Sequence, residues 1–168
     1  MYSKKNYMAY LIVSIAAFLV FSISFLLMPV EVDPMEQGTS VYTIVAGLMF
    51  WLGLIIGILM QVILSILRRN WFSRNRVRLP LTNQPKLGLI TFFKNRVALV
   101  FDVMFIVSVI GLVISLIATD AVGYSCYVFM ALTSFSFCAH CIFNGKIYYF
   151  IENKDNMRKA IDKSKSNA

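Results

Sequence analysis

Residues 41–67 read VYTIVAGLMFWLGLIIGILMQVILSIL and contain no charged side chain, and Arg68 and Arg69 follow them directly. An apolar stretch of about 18 or more residues with few charges predicts a membrane-spanning helix. Three further stretches of this kind lie at 8–28, 97–118 and 124–143. The sequence therefore predicts an all-α polytopic membrane protein whose single domain, 1–168, is a bundle of four transmembrane helices.

All sixteen Lys and Arg residues lie in the three segments that would share one side of a membrane crossed by these four stretches. Two precede the first stretch, eight lie between the second and the third, and six follow the fourth. The other two connections, 29–40 and 119–123, contain four carboxylates and no basic residue. Because basic loops remain on the cytoplasmic side, this pattern predicts a multi-pass protein of the cytoplasmic cell membrane with both termini inside. This topology also accounts for the net charge of +8, so we expect no nucleic-acid partner.

The connection 68–96 interleaves aromatic and basic side chains, a composition typical of a segment at the membrane interface. Two interpretations remain open: an ordinary cytoplasmic loop, or a docking surface for anionic lipid headgroups or for an acidic segment of a partner. The residues predicted to contact lipid are Arg68, Arg69, Trp71, Arg74, Arg76 and Arg78. The tail 144–168 is predicted to be cytoplasmic and to hold a short helix, because its charges pair at helical spacing.

Small residues on the second span predict a face that packs closely against another helix. Ala46, Gly53 and Gly57 fall on one stripe at about 100° per residue, and glycines four residues apart allow close approach. Packing within the bundle explains this face. The alternative is a face left open for a second copy of the chain, in a homo-oligomer, or for a partner's helix.

Asp102 and His140 are the ionisable residues within the spans, apart from tyrosine and cysteine. Such residues are costly in a bilayer and suggest a functional site. Spans three and four are expected to form an antiparallel hairpin, which places both residues at a similar depth on the cytoplasmic side. The predicted polar intramembrane cluster comprises Gln61, Asp102, Ser136, His140 and Asn144.

Several interpretations of this cluster remain open, including catalysis, although no serine or cysteine is placed for attack by the pair. It could be a buried hydrogen-bond network that holds the helices together. Asp102 could instead pair with Lys94 or Arg96 near the interface. In the functional interpretation, Asp102 and His140 bind a proton, a cation or a polar ligand, since histidine titrates near neutral pH.

Cys138 and Cys141 form a C-x-x-C in the fourth span. The spacing resembles that of four-helix membrane thiol oxidoreductases of the DsbB and vitamin K epoxide reductase type, and that resemblance implies thiol redox chemistry. Those families place the pair toward the outer side and use further cysteines there, whereas this chain has no cysteine outside the fourth span. A tetrahedral zinc site would need two more ligands. We therefore expect no metal, no cofactor and two apolar-face cysteines.

The sequence lacks G-x-S-x-G, H-E-x-x-H and a glycine-rich phosphate loop, so we expect no enzymatic activity. The leading hypothesis is a small bacterial-type integral membrane protein that binds another membrane protein or a toxin. It would act as an accessory or immunity-type protein through helix faces and its basic cytoplasmic surface. The first alternative is a small transporter or channel component that uses Asp102 and His140, and the second is a membrane thiol redox protein.

Overall fold

The computed structural model describes residues 4–28, 41–75, 92–93, 95–118 and 123–166, with side chains through residue 163. The described chain is helical and contains no strand. Its helices are α1 (Lys4–Ile23), α2 (Val41–Asn75), α3 (Leu99–Ala118), α4 (Tyr124–Phe143) and α5 (Lys146–Ser166), and α1 ends in a 3₁₀ turn over Ser24–Leu27. Four helices are long and apolar enough to cross a membrane, which confirms the predicted all-α class and the number of candidate spans.

The bounds of α4 coincide with the predicted 124–143, but α2 continues to Asn75 instead of ending at Arg68 and Arg69. The predicted end of the second helix is wrong because only the apolar run ends there. Arginine is a good helix former, and no glycine or proline interrupts the chain before Asn75. The first part of the predicted interfacial connection is therefore a helical extension of α2.

The four long apolar helices pack side by side in the order α2, α1, α4, α3, and the two outer helices of this series do not touch each other within the described residues. Adjacent helices run antiparallel. In the first pair, Tyr7 near the start of α1 donates a 3.4 Å hydrogen bond to the carbonyl of Leu67 late in α2. The starts of α1 and α3 and the ends of α2 and α4 consequently lie at one end of the assembly. We call this end the basic end, because it carries the described Lys and Arg residues.

The outer helices α2 and α3 present broad apolar surfaces to the surroundings. In the most apolar window of each, only 17% of the residues are buried. Large side chains such as Ile117 and Tyr42 are 79% and 71% exposed. Water-soluble proteins rarely expose continuous apolar surfaces of this extent, whereas lipid covers them at no cost.

Helix α5 packs against the basic end through an aromatic cluster. Phe150 is 1% exposed and lies with its ring centroid 5.5 Å from Tyr7, 5.2 Å from Trp71 and 5.5 Å from Phe72. The ammonium of Lys154 sits 4.6 Å from the centre of the Tyr7 ring, and burial lowers the pKa of Lys154. The predicted short tail helix is thus a longer helix, and its apolar side joins the core formed by α1 and the extension of α2.

Candidate functional site

The Asp102–His140 pair joins α3 to α4 near the basic end. Both side chains are completely buried, and Asp102 Oδ1 is hydrogen-bonded to His140 Nδ1. Helix α3 begins only at Leu99, so Asp102 occupies its first turn, where the helix dipole favours a negative charge. His140 lies one turn before the end of α4. The antiparallel hairpin thus brings together the two residues that the sequence predicted to share a depth.

The chain before α3 folds over this pair. Phe92 stacks on the imidazole of His140, with ring centroids 4.3 Å apart and planes inclined by 20°. The backbone N–H of Phe93 donates a 2.7 Å hydrogen bond to Asp102 Oδ2. Phe93 has φ 61°, a left-handed conformation that costs a side-chain-bearing residue about 1 kcal/mol. The hydrogen bond to a buried carboxylate offsets this strain, since charge-assisted bonds are among the strong ones.

Two asparagines complete the connection between α3 and α4. Asn95 Oδ1 accepts a 3.0 Å hydrogen bond from the N–H of Val97, which closes an Asx turn ahead of α3, while its Nδ2 donates a 2.8 Å bond to the carbonyl of Phe143. Asn144 Nδ2 lies 3.0 Å from His140 Nδ1. The oxygen of the Asn144 amide is buried and has no hydrogen-bond partner among the described residues. One asparagine therefore ties the start of α3 to the end of α4, and the other lies against the histidine.

The electrostatics of the site follow from its closure. Oδ1 of Asp102 is hydrogen-bonded to the ring nitrogen of His140, and Oδ2 accepts a bond from the backbone N–H of Phe93. A buried carboxylate without such partners would cost several kcal/mol. No ion pair joins Arg96 to Asp102, and Lys94 lies outside the described residues. Chemically, the pair can hold a proton between two helices; the described residues contain no group of three or more ligands suited to a metal ion.

Two members of the predicted polar cluster bond elsewhere. Gln61 Nε2 donates a 2.9 Å hydrogen bond to Ser14 Oγ, and Ser14 in turn donates a 3.1 Å bond to the carbonyl of Gly57. Ser136 is buried, but its hydroxyl bonds back to carbonyls of its own helix, those of Leu132 and Thr133. The cluster therefore divides into the Asp102–His140–Asn144 group and a separate Ser14–Gln61 link between α1 and α2.

The small residues of α2 lie against α1. Ala46 is 2% exposed. A Cβ added to Gly53 would lie 2.6 Å from the backbone nitrogen of Phe21, and one added to Gly57 would lie 2.8 Å from the ring of Phe18. Both glycines thus face α1 of the same chain, and the carbonyl of Gly57 accepts the hydrogen bond from Ser14.

The remaining predicted residues have different environments. Trp71 is 5% exposed and belongs to the core beneath α5, whereas Arg69 and Arg74 are exposed. Arg68 is half-buried, with its guanidinium 5.6 Å from the centre of the Phe72 ring. Arg76 and Arg78 lie outside the described residues. Cys138 and Cys141 are free thiols, half-buried beside Gln61 in a groove on α4.

Sequence reasoning missed four residues that build these sites: Ser14, Phe92, Phe93 and Asn95. The turn at Asn95 had a detectable signal, an asparagine shortly before an apolar helix. Phe92 and Phe93 had no such signal. The sequence alone does not distinguish them from the other aromatic residues of 68–96, and only the folded chain shows that they contact His140 and Asp102. Ser14 required knowledge of which face of α1 meets α2.

No protein-family model, no curated protein and no solved structure matches this chain. The functional interpretation consequently depends on the geometry of the site and on the distribution of charge.

Proposed function

We propose that the chain is a multi-pass protein of the cytoplasmic membrane with both termini in the cytoplasm. The support is the coincidence of two patterns: apolar side chains cover the outer faces of α2 and α3, and the described basic residues collect at one end of the helices. Basic segments adjoining spans remain on the cytoplasmic side. The extension of α2 together with α5 would then project into the cytoplasm.

Within this placement, we propose that the protein is a non-enzymatic binding protein, an accessory or immunity-type subunit that holds another membrane protein or a toxin. The observation that carries the proposal is the pair of outer helices, α2 and α3, each of which packs on a single neighbouring span among the described helices. These faces are available for a partner's helix, and the exposed basic residues of α5 at the basic end are available for its charged flank. The small-residue face of α2 is excluded as the binding face because α1 occupies it.

The closure of the Asp102–His140 pair favours binding over transport. A transport site must exchange its ligand with water, but both side chains are fully buried and Phe92 lies flat on the imidazole. The pair therefore supports a structural role, as the lock that holds α3 against α4.

Affinity isolation in a mild detergent from the native host tests the binding proposal. We expect a stoichiometric membrane-protein or toxin partner that is lost when Val107→Arg or Ile110→Arg alters the outward face of α3, where these side chains are 60% and 54% exposed. Recovery of the chain alone, or capture that is unaffected by both substitutions, would reject it.

The topology is tested separately by single cysteines placed at Lys5 and Lys159, in a chain whose three native cysteines have been replaced by serine. Both positions should be labelled by an impermeant maleimide only after the membrane is opened. Labelling of either position in intact cells would contradict the proposed orientation.

The transporter alternative rests on the same buried pair. It predicts that Asp102→Asn and His140→Ala abolish a pH-dependent flux in proteoliposomes while the protein stays folded. Loss of folding without any change in flux per folded molecule would instead support the structural lock.

A further inference from the structure

A groove of about 160 Å³ lies beside the buried face of α2 and is open to the outside of the helix assembly. Apolar and weakly polar side chains from three helices form its walls: Phe18 of α1, Gln61 of α2, and Phe137, Cys138, Cys141 and Ile142 of α4. The walls carry no charge. In the proposed membrane placement, the groove faces the acyl chains of the lipid.

Arg68 lies on the same side of α2 as the groove, closer to the basic end. It follows Gln61 by seven residues, which is two helical turns and about 10 Å along the axis. Seven residues also return a side chain to nearly the same face. Ser65 and Phe72 lie on this face as well and are half-buried, like Gln61 and Arg68. The groove and the guanidinium are therefore aligned along one edge of α2.

The environment of Arg68 suits an anion. Its side chain is half-buried and its guanidinium lies over the Phe72 ring, but it makes no ion pair with any described carboxylate. Withdrawing a guanidinium from water without a counter-charge is costly, and a planar guanidinium binds phosphate oxygens in pairs. The adjacent Arg69 carries the same charge but is exposed and points about 100° away around the helix.

We propose that this edge of α2 is a binding site for an anionic phospholipid, with an acyl chain in the groove and the phosphate on Arg68. The apolar walls match the chain, and the cation at the basic end matches the headgroup. The membrane supplies this ligand at high local concentration. The inference rests on the membrane placement proposed above but not on the binding of a protein partner, so either can fail without the other.

The thiols of Cys138 and Cys141 provide a direct reporter of occupancy. Purified protein in detergent is treated with N-ethylmaleimide, and the modification of each cysteine is followed by peptide mass spectrometry. Phosphatidylglycerol is compared with phosphatidylcholine of identical chains and with inorganic phosphate. Phosphatidylglycerol should slow alkylation of both thiols at the lowest concentration. Inorganic phosphate should not slow it, because it has no chain to fill the groove.

Arg68→Gln should weaken protection by phosphatidylglycerol about fivefold, the contribution expected of one basic residue at an anionic interface. Arg69→Gln should change it by less than twofold, and Arg68→Lys, which keeps the charge but loses the paired N–H donors, should fall between the wild type and Arg68→Gln. Equal effects of Arg68→Gln and Arg69→Gln would reduce the site to non-specific surface charge. Equal protection by phosphatidylcholine, or no protection of the wild-type thiols by phosphatidylglycerol, would overturn the proposal without needing any variant.

Discussion

Replacing Gly53 with alanine would insert a methyl group where the backbones of α1 and α2 are in direct contact. The new Cβ would lie 2.6 Å from the nitrogen of Phe21 and 2.7 Å from the carbonyl oxygen of Ala17. Non-bonded carbon contacts are normally about 3.5–4.0 Å, so the helices must separate locally by about 1 Å. Neither obstacle is a side chain that can rotate away.

The size of the effect follows from that separation. Forcing an extra methyl group into a packed contact costs about 1–3 kcal/mol. The 3.1 Å hydrogen bond from Ser14 to the Gly57 carbonyl, one turn further along α2, would lengthen beyond bonding distance. Interhelical hydrogen bonds in membranes contribute about 0.6 kcal/mol on average. We therefore expect Gly53→Ala to lower the free energy of unfolding by about 2 kcal/mol.

The assay is reversible unfolding in mild detergent titrated with sodium dodecyl sulfate, followed by tryptophan fluorescence, since Trp71 lies in the core near this helix pair. Gly47→Ala is the matched control on the same helix, because nothing lies within 4 Å of its added Cβ. Gly111→Ala is a stricter comparison. Its Cβ would come within 2.3 Å of an atom, but that atom belongs to the ring of Phe129, which can turn aside.

The expected order of destabilisation is Gly53→Ala, then Gly111→Ala, then Gly47→Ala with no loss. A larger cost at Gly111 than at Gly53 would refute the argument that an immovable backbone, and not the shortest distance, decides the penalty. Equal stability of the Gly53 and Gly47 variants would show that α1 and α2 do not meet as described.

Three further predictions use the same unfolding assay or simple variants of it. Asp102→Asn should destabilise the protein by about 3 kcal/mol, because it breaks a buried pair. Asp162→Asn, which removes an exposed 4.0 Å pair with Arg158, should cost less than about 0.5 kcal/mol. Similar losses for the two variants would contradict the proposal that the Asp102–His140 pair holds α3 against α4. Phe150→Ala should release α5 from the basic end and expose 146–166 to limited proteolysis, at a cost of about 3 kcal/mol. Phe137, whose side chain is 44% exposed, is the control, and Phe137→Ala should leave the digestion pattern unchanged. Unchanged digestion of the Phe150 variant would show that Phe150 does not hold α5. Asn95→Ala should cost about 1 kcal/mol and speed hydrogen exchange at the Val97 amide, because the Asx turn before α3 is lost. Asn75→Ala, whose 2.8 Å bond stays within α2, should leave that exchange rate unchanged, and unaltered exchange in the Asn95 variant would exclude the Asx turn.

The existence of four helices long and apolar enough to span a membrane was predictable, because it depends on length and apolarity alone. The bounds of α4 were predictable too, since its apolar run ends where the chain turns at Asn144. The end of α2 was not predictable from hydrophobicity, because arginine ends the apolar run but is itself a good helix former. Hydrophobicity therefore marks where a span leaves the apolar region, whereas propensity and packing determine where its helix stops.

The Asp102–His140 contact was within reach of sequence reasoning, since a short turn makes spans three and four antiparallel neighbours and depth can then be counted from each end. Gln61 was grouped with them on depth, but its hydrogen bond goes to Ser14 of α1. Gln61 lies across an open groove from Cys138 and Cys141 of α4, on the side of that helix away from Asp102, and its amide reaches α1 instead.

By itself, the sequence determined four apolar helices and a basic end distinct from the rest, because these depend on which residues occur and at what spacing. Only the tertiary structure decided which helices are neighbours, which glycines lie in close contact with another helix, and that Phe92 stacks on His140. The physical reason is that apolar helices have little intrinsic preference among partners in a lipid environment. Close backbone contacts and a few buried hydrogen bonds select the arrangement, and these exist only once the chain is folded.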